Sequence, residues 1–181
     1  MVPVFTLRSI MGLTLCYIRK GYFEEHPDFI KVLDVGNSGK QSKRTHLCVR
    51  GELDKNAFYI PLRNNLGADV RKFGRIGHSV PSEKRKNAGL DFRYVLIVNN
   101  PVYIEFQTER KIPSSQYRHI LRDYEAIQKE FAVYLRGYKK AAVKGRIEKE
   151  PLYRESSLIN FHRELEIRST PNSTNRASSN S

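Results

Sequence analysis

In the stretch FYIPLRNN (residues 58–65), the strand-like run Phe58, Tyr59 and Ile60 passes through Pro61 and Leu62 and then delivers Arg63, Asn64 and Asn65. A guanidinium carried directly off a rigid strand holds its fork of donors in a fixed plane. That geometry suits a phosphate and the charge that develops on it during reaction. The competing reading is an edge-strand arginine that keeps a sheet end wet. Asn64 and Asn65 could orient a phosphate or a ribose hydroxyl through their amides, or simply make the turn that Asn-Asn before Leu-Gly favours. His78 and Ser79, in GHSVPS, place an imidazole beside a hydroxyl within a basic loop, and imidazole exchanges protons near neutral pH. An exposed loop histidine without a role is the plainer alternative. Positive charge is concentrated here: Arg63, Arg71, Lys72, Arg75, Lys84, Arg85, Lys86 and Arg93 stand against Asp69, Glu83 and Asp91.

The remaining chemistry-bearing residues exclude more than they suggest. The other histidines, His26, His46, His119 and His162, lie beside strand or helix patterns and read as structural. Histidines and carboxylates show no metal-ligand spacing, so no metal or other cofactor is expected. Cys16 and Cys48 have no CxxC or Cys/His companions and read as small buried hydrophobes in a reducing compartment. No Ser-His-Asp order, Walker sequence or GxGxxG is present. Tyr117 and Tyr124 could stack an unpaired base if their face is exposed, although tyrosines at helical spacing beside Ile and Leu read first as core.

The 181 residues suit one domain with a substantial core. A formal charge of +13, from 32 Lys and Arg against 19 Asp and Glu, repels itself unless a polyanion is the partner, and nucleic acid is the commonest one. The apolar start is interrupted by Arg8 and has neither signal-peptide order nor the length of a membrane span. The prediction is a cytoplasmic protein.

The elements that must position these residues follow from periodicity. LTLCYI (13–18) reads as an opening strand, and HPDFIKVLD as a short helix with Pro27 in its first turn. Residues 35–44 read as a flexible basic loop. THLCV (45–49) and AFYIPL (57–62) flank a turn-forming RGELDKN and predict a hairpin, with Pro61 ending its second strand. FRYVLIVNN (92–100) predicts a strong strand, paired through the NNP turn with VYIEF (102–106). From Ser114 the apolar period changes: Tyr117, Ile120, Leu121, Tyr124, Ile127, Phe131, Leu135 and Tyr138 mark one face of a long amphipathic helix. SSLINFHRELEI (156–167) predicts a final helix. Strands before helices, without βαβ alternation, give an α+β fold: a single domain with a twisted antiparallel sheet, surrounding helices and one long amphipathic helix. Residues 1–11 read as an extension ahead of the fold, 12–167 as the domain, and 168–181 as a disordered polar tail.

Taken in order, the opening strand and short helix, the hairpin ending in YIPLRNN, the strand AGLDFRYVLIV and the helix QYRHILRDYEAIQKEFAVYLRGY resemble the toxins of type III toxin–antitoxin systems. The similarity is to the TenpN group, related to ToxN and AbiQ, and spans roughly residues 12–140. It implies a metal-independent endoribonuclease, with a role in phage abortive infection, held off by a repeat-derived RNA pseudoknot in a closed protein–RNA assembly. It also implies that the substrate's 2′-hydroxyl attacks the adjacent phosphate and leaves a 2′,3′-cyclic end. Where ToxN-like members carry Thr-Ser-Pro-Lys after the Pro-Leu pair, this chain has Arg63, Asn64, Asn65 and Leu66. The resemblance therefore gives Arg63 the cationic role and Asn64 or Asn65 the hydrogen-bonding role. His78, with Ser79 and Lys72 beside it, is the nominated proton acceptor, unless charge stabilisation dominates and no side chain is a strong base. Lys40, Lys43, Arg44, Arg71, Lys72, Lys84, Arg85 and Lys86 would suit an RNA backbone. A basic RNA-binding module without catalysis is the alternative.

Overall fold

The structure, a computed structural model, describes residues 13–51 and 54–168. The expected extension (1–11) and residues 169–181 of the expected tail lie outside the described residues. Eleven elements organise the fold: β1 (Leu15–Ile18), α1 (Lys20–Glu25), α2 (Ser38–Gln41), β2 (His46–Gly51), β3 (Asp54–Arg63), α3 (Ala68–Phe73), β4 (Gly77–Ser79), β5 (Gly89–Asp91), β6 (Leu96–Ile97), β7 (Ile104–Phe106) and α4 (Ser114–Val143). All pairings are antiparallel, in the order β4-β5-β3-β2-β1-β7, with β6 also on β3. The α+β expectation and the long helix both hold.

The predicted hairpin forms as β2–β3, but Pro61 does not end β3, which runs on to Arg63. Its register explains the tolerance. Leu62 N–H donates across to Thr45, so the neighbouring Pro61 nitrogen faces away from β2. There β6 pairs only with Phe58 and Tyr59, and β5 only with Leu62 and Arg63. The missing donor falls in the gap between them.

Four other expectations change. FRYVLIVNN is not one strand: Asp91 Oδ1 accepts from Arg93 N–H at 3.2 Å and caps a 3-10 turn over Phe92–Tyr94, leaving only Leu96–Ile97 paired. VYIEF does not fold back on it. Asn100 caps a second 3-10 turn, Pro101–Tyr103, which carries β7 to the far edge to pair with β1. The helix expected from Pro27 is absent, because the helix is α1, before the proline, and Lys31 and Asp34 take left-handed φ of 54°. The segment 35–44 holds the short α2, capped when the Asn37 side chain accepts from Lys40 N–H at 2.9 Å. Finally, 156–167 makes a 3-10 turn (Ser157–Phe161) rather than a helix, although Leu158, Phe161 and Leu165 are buried as expected.

Strand alternation sorts the sheet into two faces. One face meets α4, where Phe131 lies 5.1 Å from Phe58 and 5.6 Å from Phe92, centroid to centroid. Ile120, Ile127, Tyr134, Leu135 and Tyr138 bury the same helix side, while Leu121, counted in the apolar stripe, is 51% exposed. The other face meets α1 and the segment after it: Phe23, Val32 and Gln41 line a narrow cleft with His46, Pro61, Tyr94 and Leu96. Gly89 sits where the β5 backbone is closest to its neighbours. A Cβ there would collide with the His78 carbonyl oxygen and with Leu66 Cδ1. Gly89→Ala is expected to lower stability by about 1–3 kcal/mol through overpacking, read as a lower urea midpoint with unchanged slope.

Candidate active site

Arg63 is the last residue of β3 and pairs with Gly89. Its Nη1 donates to Asp91 Oδ2 at 2.8 Å, and its guanidinium carbon lies 5.1 Å from the Tyr94 ring centroid. Asp91 is fully buried and also serves Arg93: Nε donates to Oδ1 at 3.0 Å and Nη2 to Oδ2 at 2.9 Å. Arg93 is tied further by Nη2 to the Leu66 carbonyl at 3.0 Å and by Nη1 to Asp69 on α3 at 3.1 Å. Burial acts to lower the Arg93 pKa, but the Asp91 hydrogen bond and charge outweigh it and the net direction is up. Arg63 differs from Arg93 in one respect that matters. Its side chain is 27% exposed, and among the described residues its only hydrogen-bond acceptor is Asp91. A guanidinium has five N–H donors, so with one corner held by Asp91 the others have no acceptor among the described residues.

A second arginine stands on the same side. Arg44 lines the narrow cleft together with Tyr94, His46 and Pro61. It pairs with Asp34, as does Lys40 at 2.7 Å, and its buried Nε has no hydrogen-bond partner among the described residues. Burial acts to raise the Asp34 carboxyl, but the Lys40 and Arg44 hydrogen bonds and charges bring it below its ordinary value. His46 is buried beneath them, its Nδ1–H donating to the Arg44 carbonyl at 2.9 Å, and burial pushes its pKa down to about 3.

The structure brings some of the expected site residues together and separates others. Asn64 joins Arg63's neighbourhood, accepting from Arg85 Nη1 at 2.6 Å. Asn65 accepts from Gly67 N–H at 2.8 Å and so makes the turn reading real. Ser79 is exposed and, through the row Arg63–Gly89–Ser79, shares Arg63's face. His78 falls in the adjacent row with Leu90 and Leu62 and therefore points to the opposite face. It meets α4 there, with Nδ1 2.7 Å from Glu130 and Nε2 3.4 Å from Asp123. The Arg122 guanidinium beside Asp123, helped by His78, holds that carboxyl well below the usual carboxylate range. Arg63 and His78 are thus not neighbours at a common phosphate.

Lys43, Lys84, Arg85 and Lys86 are exposed, and Lys72 is exposed with its ammonium 5.2 Å from the Phe73 ring. Arg71 lies on α3. Tyr117 and Tyr124 are half-buried and pack on the core, with Arg110 5.6 Å from the Tyr117 ring and burial pushing the Tyr124 phenol up. Sequence reasoning missed Asp91, Arg93 and Tyr94 as a unit, because LDFRYVL reads as uninterrupted strand. The available signal was an acid and an arginine two residues apart in an apolar run, where neither can be buried alone.

Two outcomes follow. Asp91→Ala removes the partner of a buried guanidinium and is expected to cost about 3–5 kcal/mol, measured by chemical denaturation. His46 stays neutral when folded down to about pH 3 but takes a proton in the unfolded chain below about pH 6.5. The unfolded state then binds more protons, so stability falls as pH drops through that window, by up to about 1.4 kcal/mol per pH unit. His46→Gln should flatten the difference in urea midpoint between pH 7 and pH 5.

No protein-family model matches the chain, and no curated protein matches it in sequence. Among solved structures it is similar to AbiQ, a lactococcal anti-phage endoribonuclease belonging to the type III toxin–antitoxin system. That match has 18% identity and a TM-score of 0.55, covering 85% of this chain and 97% of AbiQ. A second structure, from the bacterial type III systems in which a non-coding RNA pseudoknot selectively inhibits the toxin, aligns at 14% identity and a TM-score of 0.45, covering 87% of this chain and 99% of that one. The open antiparallel sheet backed by α4, with Arg63 at the end of β3, is built on the fold of AbiQ.

Proposed function

We propose that the chain is an endoribonuclease toxin of a type III toxin–antitoxin system, a single domain over residues 12–167 that acts in the cytoplasm and in defence against phage. The observation that carries the reading is the Arg63 guanidinium, held at one corner by buried Asp91 and set against Tyr94, partly exposed and with its other donors lacking an acceptor among the described residues. The AbiQ fold supports the choice of RNA as substrate.

In the proposed reaction the 2′-hydroxyl oxygen of the substrate forms a new bond to phosphorus and the bond from phosphorus to the 5′-oxygen breaks. The 2′-proton leaves, the departing 5′-oxygen takes one up, and the products carry a 2′,3′-cyclic phosphate and a 5′-hydroxyl. No metal enters the step. Arg63 stabilises the charge that builds on the non-bridging oxygens, and Asn64, fixed by Arg85, steadies the sugar–phosphate alongside. With His78 engaged by Glu130 and Asp123 on the other face, charge stabilisation rather than a strong base supplies the larger part of the rate. Lys40, Lys43 and Arg44 on one flank, and Lys72 with Lys84–Lys86 on the other, serve the backbone of the substrate and of an inhibitory repeat-derived pseudoknot RNA, the partner in a closed protein–RNA assembly. The placing of His78 also favours a second reading, a binding module that holds RNA without cutting it.

Incubation of the purified protein with a messenger RNA in EDTA decides between them. Fragments with 2′,3′-cyclic ends are expected. Arg63→Ala should slow cleavage by about 10²–10³-fold, with RNA affinity changed by less than about fivefold. Absence of cyclic-ended fragments, or parallel loss of cleavage and binding, would overturn the enzymatic reading.

A further inference from the structure

The solvent side of α4 carries a charge pattern that the Arg63 site does not use. Arg118, Arg122, Lys129, Arg136 and Lys140 are all exposed, and Lys144 follows at the helix C-cap. At 100° per residue these six fall within an arc of roughly 80°, and at 1.5 Å per residue they run for roughly 39 Å. No acid of α4 falls within that arc, and Glu125 lies roughly 20° beyond its edge. Arg122 is compensated by Asp123 at 2.7 Å, but the other five side chains form no ion pair among the described residues. Exposed Val133 and Val143 interleave with them.

A helix face selected only for solubility mixes both signs and places opposite charges four residues apart. Apart from Glu125 and Lys129, this face does the reverse: Arg118 and Arg122, Arg136 and Lys140, and Lys140 and Lys144 are like-charged i,i+4 pairs. Attraction to the negative C-terminal end of the helix accounts for the last two cations only. The pattern needs a polyanion lying along the helix, and the stripe is long enough for on the order of ten nucleotides at roughly 3.4 Å each. Because α4 covers the face of the sheet opposite Arg63, this track and Arg63 lie on opposite sides of the sheet. We propose that the outer face of α4 is a second RNA-backbone surface, which holds the distal part of a long single-stranded substrate while Arg63 meets the reacting phosphate. The inference rests on the proposed reading that RNA is the partner.

The test compares the wild type with Arg118→Glu/Lys129→Glu/Arg136→Glu and with the matching triple glutamine variant, each verified as folded by helical circular dichroism. The probes are a 30-nucleotide oligouridylate and a hexauridylate. The acidic variant should bind the 30-mer at least tenfold more weakly, with a salt dependence flatter by about 2 in log–log slope, and the glutamine variant should lie in between. Handling of the hexamer should stay within twofold. Unchanged 30-mer affinity and slope in both variants, with the wild type binding normally, would overturn the second surface and leave the Arg63 reading standing. So would stripe-dependent binding of phosphatidylserine vesicles tighter than that of the 30-mer. A wild type that binds neither oligomer would overturn the RNA reading itself.

Discussion

One buried carboxylate organises the end of the sheet where the candidate site lies. Asp91 has no exposed surface, and an isolated charge in that position could not be kept. It is retained because Arg93 meets it with two donors and a backbone N–H, and Arg63 meets it with a third side-chain donor. The consequences spread along the chain. Capping by Asp91 turns Phe92–Tyr94 into a 3-10 segment, which ends β5 and places Tyr94 beside both arginines. Arg93 then ties the Leu66 carbonyl and α3 to the sheet. The loop that follows Arg63 is therefore anchored from beneath rather than left to its own turn residues.

The second constraint is the two-residue period of the strands. It puts Arg63 and Asp91 on one face and His78 on the other, although only fifteen positions separate Arg63 from His78 in the chain. The division gives the faces different work. The α1 side holds Arg63 against Tyr94 and the narrow cleft lined by Arg44 and Tyr94, and the α4 side holds the aromatic packing of Phe58, Phe92 and Phe131 together with the contacts of His78 to Asp123 and Glu130. The His78–Glu130 contact joins the edge strand β4 to the middle of α4, so the histidine helps to fasten that edge to the helix, as does Gln116, whose Nε2 donates to the Val80 carbonyl at 2.7 Å.

Features set by local sequence were legible before the structure. The β2–β3 hairpin has turn-formers between two apolar runs, and α4 repeats its apolar positions for thirty residues; both signals sit within a few residues of what they determine. Partners far apart in sequence were not legible. VYIEF is strand-like in itself, but nothing in it says that it will pair with Cys16–Ile18 rather than with the strand just before it. FRYVLIVNN misled for the opposite reason: its β-branched and aromatic residues do specify burial, while Arg93 and the Asp91 just before the stretch override the extended backbone. In the same way Arg63 could be seen as a cation leaving a strand, but its fixation by residues 28 and 31 positions downstream could not.

That fixation makes sense of the point where the chain departs from the toxins it resembles. A lysine at position 63 would offer a rotating ammonium, and a hydrogen bond to Asp91 would leave its remaining donors without a defined direction. A guanidinium is planar. Held by Asp91 at one nitrogen and set 5.1 Å over Tyr94, it has its plane determined, and the direction of its free N–H groups is determined with it. In the proposed reaction, orientation is what a site without an adjacent base most needs, since its advantage would lie in meeting developing charge with dipoles already in place. The arginine at the end of β3, the buried aspartate on β5 and the tyrosine that follows it are thus one device, and the two asparagines after Arg63 are its loop, with one amide fixed by Arg85 and the other consumed in turning the chain toward α3.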